Sequence, residues 1–135
     1  MHFPIFLSLL MMFSGAALAQ TTPKSKVVKL SALASQEIEL RSGLSLNLNC
    51  ESLRPTRVAV IKAPGNGTVI EREKEIFSNF SKDNPRFSCN EKKSLGVIAV
   101  YKSNPDFRGT DKFSFAVVYY DGRADIYDVE MTVWR

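Results

Sequence analysis

The sequence predicts an all-β sandwich held by one disulfide, and three observations carry that expectation. From residue 38 onward apolar residues recur at every second position, as in Phe113, Phe115, Val117 and Tyr119, which is the period of a half-buried strand. Turn chemistry separates these runs at Ser42-Gly43, Pro64-Gly65-Asn66-Gly67, Asn104-Pro105 and Asp121-Gly122. Two cysteines, Cys50 and Cys89, fall in separate parts of the chain.

The first nineteen residues, "MHFPIFLSLLMMFSGAALA", are an apolar run that ends in small residues at Ala17 and Ala19. That is the anatomy of a secretory signal peptide cleaved before Gln20. The apolar run is shorter than the roughly 20 residues of a spanning helix, so no stable membrane insertion is expected after cleavage. Export puts both cysteines in an oxidising compartment, where a pair most simply forms one disulfide. Closing the chain between residues 50 and 89 contributes roughly 4 kcal/mol in the chain-entropy account. Two buried free thiols are the alternative.

Residues 20–36 read as a flexible lead-in, with Val27, Val28 and Leu30 as a short edge strand; residues 37–135 form the sandwich domain. Ile38 and Leu40 begin a strand, and Leu44, Leu46, Leu48 and Cys50 alternate with Ser and Asn as its continuation. After a loop containing Pro55, "RVAVIKA" is a β-branched strand and "PGNGT" turns the chain into Val69 and Ile70. Residues 71–94 mix both charges with Phe77, Phe80 and Phe87 at irregular spacing. They read as one long loop tethered by Cys89, and loops of that length are usually functional or disordered. "LGVIAVY" at 95–101 returns to strand.

Parity decides the last hairpin. Tyr127, Val129, Met131 and Val133 alternate with Asp128, Glu130 and Thr132. A two-residue loop at Asp121-Gly122 would set Phe115 against Asp128 and Phe113 against Glu130. A three-residue loop, Tyr120-Asp121-Gly122, sets Phe115 against Tyr127 and Phe113 against Val129. It also puts Gly122 at the left-handed position of a type I turn with a G1 bulge. Asp121 is then turn chemistry and not a catalytic group.

The formal charge of +4 and pI ≈ 9.2 come from dispersed basic residues. A nucleic-acid binder clusters them in a stripe, so no nucleic-acid partner is expected. The single histidine, His2, leaves with the signal peptide. That removes Ser-His-Asp and Cys-His catalysis and His-ligated zinc. A Cys50–Cys89 bond removes thiol catalysis as well. No metal or other cofactor is expected, and no catalytic residue is assigned.

The second half of the chain resembles the bacterial cadherin-like, immunoglobulin-like repeats of large surface proteins. "PGNGTV", "YKSNPDFRGTDKFSF", "DG" and "VEMTV" follow in the order those repeats show, over residues 58–134. Ser103 stands where the repeats have proline, the cysteine-bearing 71–94 segment is additional, and the unit occurs once. The resemblance implies an immunoglobulin-like antiparallel β-sandwich. It also implies that Gly109 permits a tight turn, that Phe107 and Phe113 fill the core, and that Asp111 binds turn amides.

Three function classes remain. The first is an exported binding module of the bacterial envelope, periplasmic or secreted, with an envelope protein or glycan as partner. Its contact residues are Phe77, Phe80 and Phe87 on the long loop, or Val118, Tyr120 and Ile126 on the outer hairpin face beside Ala116. The same phenylalanines would equally serve as a plug for the open end of the sandwich. The second is a hydrolase inhibitor, which the basic pI disfavours where the target is itself basic. The third is a glycan-active enzyme built on carboxylate pairs among Glu71, Glu73 and Glu75, which requires two of them to face one cleft. The reading adopted is binding without catalysis. Intact-mass measurement on exported protein is expected to give a chain starting at Gln20; a mass that retains residues 1–19 would contradict the cleavage reading.

Overall fold

The alternating runs become seven strands and a single 3-10 turn in the computed structural model, which describes residues 23–135. The signal-peptide reading over residues 1–19 lies outside them. The strands are β1 (Lys26–Leu33), β2 (Glu37–Gly43), β3 (Arg57–Lys62), β4 (Gly67–Phe77), β5 (Lys93–Ser103), β6 (Gly109–Val118) and β7 (Ala124–Trp134); the turn spans Phe87–Glu91. One sheet has the order β1-β7-β6-β3 and the other β2-β5-β4. This is the strand order of an immunoglobulin-like sandwich whose first strand has crossed to the sheet of the last. Every pairing is antiparallel except that of β1 with β7, which is parallel.

The hairpin has the expected register. Phe115 lies opposite Tyr127 and Phe113 opposite Val129. Gly122 has φ +83°, its amide donates to the Tyr119 carbonyl at 2.9 Å, and the Tyr119 amide donates to Arg123 at 2.8 Å. Phe113, Phe115 and Val117 of β6 then meet Tyr127, Val129, Met131 and Val133 of β7 in one buried cluster. From the other sheet, Tyr101 stacks on Phe113 with ring centroids 5.0 Å apart and planes within 7°. That stack ties the two layers together.

Asp111 is buried within this apolar setting and fully engaged. Its carboxylate accepts from the Gly65 and Asn66 amides at 2.9 and 3.0 Å and from the Tyr101 hydroxyl at 3.0 Å. The β3–β4 turn, β5 and β6 are thereby joined at one point, and a charge that would be costly alone is offset by three donors. Burial, with the Asp111 carboxylate beside it, pushes the Tyr101 hydroxyl well above its ordinary pKa. Gly109 has φ +123° beside Phe107, which packs on the core. The roles the repeat resemblance implies for Gly109, Phe107, Phe113 and Asp111 match these positions.

Several sequence expectations are corrected. The short edge strand expected at Val27, Val28 and Leu30 is present but longer, running Lys26–Leu33 with Val28, Leu30 and Ala32 turned to the core, so this part of the lead-in is not flexible chain. The sandwich therefore begins before residue 37. The long loop over 71–94 is shorter, because β4 runs to Phe77 and β5 starts at Lys93. Here the strand period is carried by alternating charge: Glu71, Glu73 and Glu75 face one way, Arg72 and Lys74 the other. Arg72 reaches Glu37 and Lys74 reaches Glu39 across the central strand. Ile98, opposite Arg72, and Val100, opposite Ile70 and Glu39, are buried on this outward face of β5, where long charged side chains can cover apolar surface with their stems.

The strand expected over 44–50 is a turn. The Asn47 side-chain oxygen accepts from the amides of Asn49 and Glu51 at 2.9 Å each, which competes with a sheet ladder. Cys50 sits there at φ +64° and is bonded to the fully buried Cys89.

Phe115→Asp is expected to abolish cooperative unfolding, since an unpaired core carboxylate costs several kcal/mol against a total of about 5–15. Thr110→Asp lies on the exposed face of the same strand and is expected to shift stability by less than about 0.5 kcal/mol. Thermal melts of both variants check the assigned faces, and equal effects would contradict them.

Candidate functional site

At one end of the sandwich three segments distant in sequence enclose a cleft of ≈ 650 Å³. The β2–β3 connection supplies Leu44, Ser45, Leu46 and Leu53. The β4–β5 loop supplies Phe80, Asn84 and Arg86. The hairpin supplies Tyr119 to Asp121 and Arg123 to Asp125. The walls are mostly side chains of connections and turns, with Ala124 and Asp125 from the start of β7.

Each wall is held by local chemistry. In the β4–β5 loop, the Asn90 side chain accepts from the Ser78 hydroxyl and the Phe80 amide and donates to the Phe80 carbonyl, all at 2.9 Å. Asn84 accepts from the Arg86 amide at 2.9 Å, and the Cys50–Cys89 bond fixes the loop to the β2–β3 connection. Arg86 Nε adds a second link by donating to the Leu46 carbonyl at 2.7 Å. The hairpin is drawn in through the Tyr120 amide, which donates to Ser45 Oγ at 3.3 Å. Such a loop loses little further conformational freedom on binding.

The charges on the hairpin wall are paired. Arg123 donates to Asp121 at 2.7 Å. Asp125 accepts from Lys26 at 2.9 Å and from the Tyr119 hydroxyl at 3.0 Å. Lys26, and to a smaller extent Tyr119, hold the Asp125 carboxyl below its ordinary pKa of 3.8, against partial burial. Burial, and then the hydrogen bond to Asp125, push the Tyr119 hydroxyl well upward. Arg86 has no carboxylate within ion-pair distance among the described residues.

The residues singled out in the sequence separate into groups. Phe80 and Tyr120 line the cleft, with Phe80 half-buried and Tyr120 54% exposed. Phe77 and Phe87 lie outside it and are 59% and 43% exposed, so they plug nothing; Lys93 rests over the Phe77 ring. Val118 and Ile126 are half-buried on the outer sheet face, opposite Ala124 and Ala116. Ala116 itself is buried, because β6 is a central strand flanked by β7 and β3. Of the outer-face group Tyr120 is the most exposed, with Val118 and Ile126 partly so. Asn84, Arg86 and Tyr119 were not singled out. The signal available for the first two was their place in the additional segment.

Glu71, Glu73 and Glu75 do share one strand face, beside a side opening lined by Arg54, Arg57 and Val58. There Glu71 accepts from the Val58 amide and Glu73 pairs with Arg54. Among the described residues no three His, Cys, Asp or Glu side chains converge on a metal position. Among them too, no helix is long and apolar enough to cross a membrane. The disulfide is compatible with an oxidising, extracytoplasmic compartment.

No family model, curated protein or solved structure matches the chain.

The pairing of Asp125 with Lys26 and Tyr119 gives a pH dependence of known sign. A carboxyl whose pKa is depressed by folding stabilises the fold above its unfolded value, and that contribution is lost as pH falls through the folded value. Melts of wild type and Asp125→Asn are expected to differ at neutral pH in favour of wild type. The two should converge below about pH 3.8, Asp125's ordinary value. A difference that persists unchanged to pH 2 would contradict the assignment.

Proposed function

We propose that the protein is an exported immunoglobulin-like binding module of the bacterial envelope, periplasmic or secreted, which engages an envelope protein or glycan through the end cleft. It would be a relative of the cadherin-like repeats it resembles. The observation that carries this reading is the convergence of three connections on one mixed cleft whose walls are fixed before any partner arrives. Binding residues concentrate on loops held by a rigid scaffold, and a cleft with a few convergent polar groups is the usual form of a ligand site.

The division of labour along the chain supports it. The residues that match the repeat pattern do fold work, Asp111 and Phe113 above all. The segment the pattern does not account for supplies Phe80, Asn84 and Arg86 to the cleft. Fold alone does not carry function, so the site carries the argument. An enzyme built on Glu71, Glu73 and Glu75 is less favoured, because two of the three carboxylates are already engaged by Val58 and Arg54.

A crosslinking pulldown from the native envelope with the exported protein tests this. Tyr120→Ala is expected to leave the melting temperature within about 2 °C, as exposed substitutions do, and to reduce capture of the partner severalfold. Phe77→Ser, equally exposed but outside the cleft, is expected to leave capture unchanged. Undiminished capture by the Tyr120 variant would contradict the reading.

A further inference from the structure

The charge inventory of the cleft points to the class of ligand. Asp121 and Arg123 neutralise each other, and Asp125 is neutralised by Lys26 from β1. Arg86 is left over. Its Nε is committed to the Leu46 carbonyl, which fixes the plane of the guanidinium of this half-buried residue, while its two terminal nitrogens have no hydrogen-bond partner among the described residues. A guanidinium held in one orientation is suited to a carboxylate, which it takes through two parallel hydrogen bonds.

Two further groups narrow the class. Asn84 uses its side-chain oxygen on the Arg86 amide, so its side-chain nitrogen is a second unengaged donor within the same loop. Tyr120 presents an exposed ring from the facing wall. Donors that converge on an acceptor-rich ligand beside an aromatic face describe a sugar with a carboxylate: hydroxyls and carboxylate accept, and the C–H face of the pyranose covers the ring. An acidic peptide is the weaker fit. Extended peptides are commonly bound by adding a strand to a free sheet edge, and of the residues lining the cleft just Ala124 and Asp125 belong to a strand. The net charge of +4 favours the approach of a polyanion.

We propose that the end cleft binds a carboxylate-bearing saccharide, with a hexuronic acid unit as its minimal epitope. Arg86 holds the carboxylate, Asn84 donates to a neighbouring hydroxyl, and Tyr120 stacks on the ring. This rests on the cleft being the binding site.

The test is an NMR titration of the exported protein with tetragalacturonate, and with cellotetraose and hexaglutamate as neutral-sugar and acidic-peptide probes. Tetragalacturonate is expected to shift resonances of Asn84, Arg86 and Tyr120 and to bind about tenfold or more tighter than either other probe, the worth of one charge-assisted pair. Arg86→Gln is expected to lose that margin and Arg86→Lys to keep part of it. Should Arg86→Gln fail to fold because the link to Leu46 is gone, Asn84→Ala and Tyr120→Ala must each weaken tetragalacturonate binding. Equal binding of cellotetraose would overturn the role of Arg86, and equal binding of hexaglutamate would overturn the saccharide. Absent binding, or shifts confined to surfaces outside the cleft, would overturn the inference as a whole. The envelope pulldown distinguishes the two failures: capture that still depends on Tyr120 keeps the cleft as a site for another ligand, and capture indifferent to Tyr120 removes both.

Discussion

The register of the β6–β7 hairpin is the constraint on which both the core and the cleft depend. With Tyr120-Asp121-Gly122 as the connection, Phe113 and Phe115 face Val129 and Tyr127. One residue fewer would turn every β7 side chain to the opposite face. The apolar cluster would then carry Asp128 and Glu130 in place of Tyr127 and Val129. Glycine at position 122 makes the longer connection possible, since φ +83° is a conformation that side-chain-bearing residues rarely adopt. The same connection ends in Tyr119, Tyr120 and Asp125, so one turn sets the core register and builds one wall of the cleft.

The opposite wall is built differently. The β4–β5 loop has no strand partner, and its shape comes from Asn90, from the Asn84 turn and from two links to the β2–β3 connection, one covalent through Cys50–Cys89 and one through Arg86. Cys89 is fully buried although it lies in a loop. The disulfide is therefore part of the packing at this end of the molecule as well as a cross-link. Arg86 has two places in this arrangement: its Nε is a structural donor to Leu46, and its side chain lines the cleft.

Much of the fold was legible in the sequence because a wrong assignment would have placed like against unlike. The hairpin register follows from parity alone, and the turn role of Asp111 follows from its place in the repeat pattern. What was misread has physical causes. Val27, Val28 and Leu30 marked β1 as a short strand, but its partner lies at the far end of the chain in a parallel pairing, so nothing local shows that it belongs to the sandwich. The Glu71 to Glu75 stretch is an edge strand whose alternation is one of charge sign, each sign having its own use. Asn47 turns a run of alternating leucines into a tight turn by capturing two backbone amides. Of the cleft, Phe80 and Tyr120 were visible as aromatic residues in connections. Arg86 was not, because its lack of a carboxylate partner is a property of where Asp121 and Asp125 fold, and nothing in its own neighbours signals it.

The most direct measurement of the central claim is a comparison of thermal unfolding between wild type and a variant with Asp121 removed. That variant has a two-residue connection and no change in the composition of either strand. The account predicts loss of the cooperative transition, or a variant in which the buried cluster must accept carboxylates and the near-ultraviolet signal of its tyrosines collapses. Native-like unfolding with the tyrosine signal intact would show that the register is set elsewhere, and that the cleft wall formed by Tyr119, Tyr120 and Asp125 does not depend on this turn.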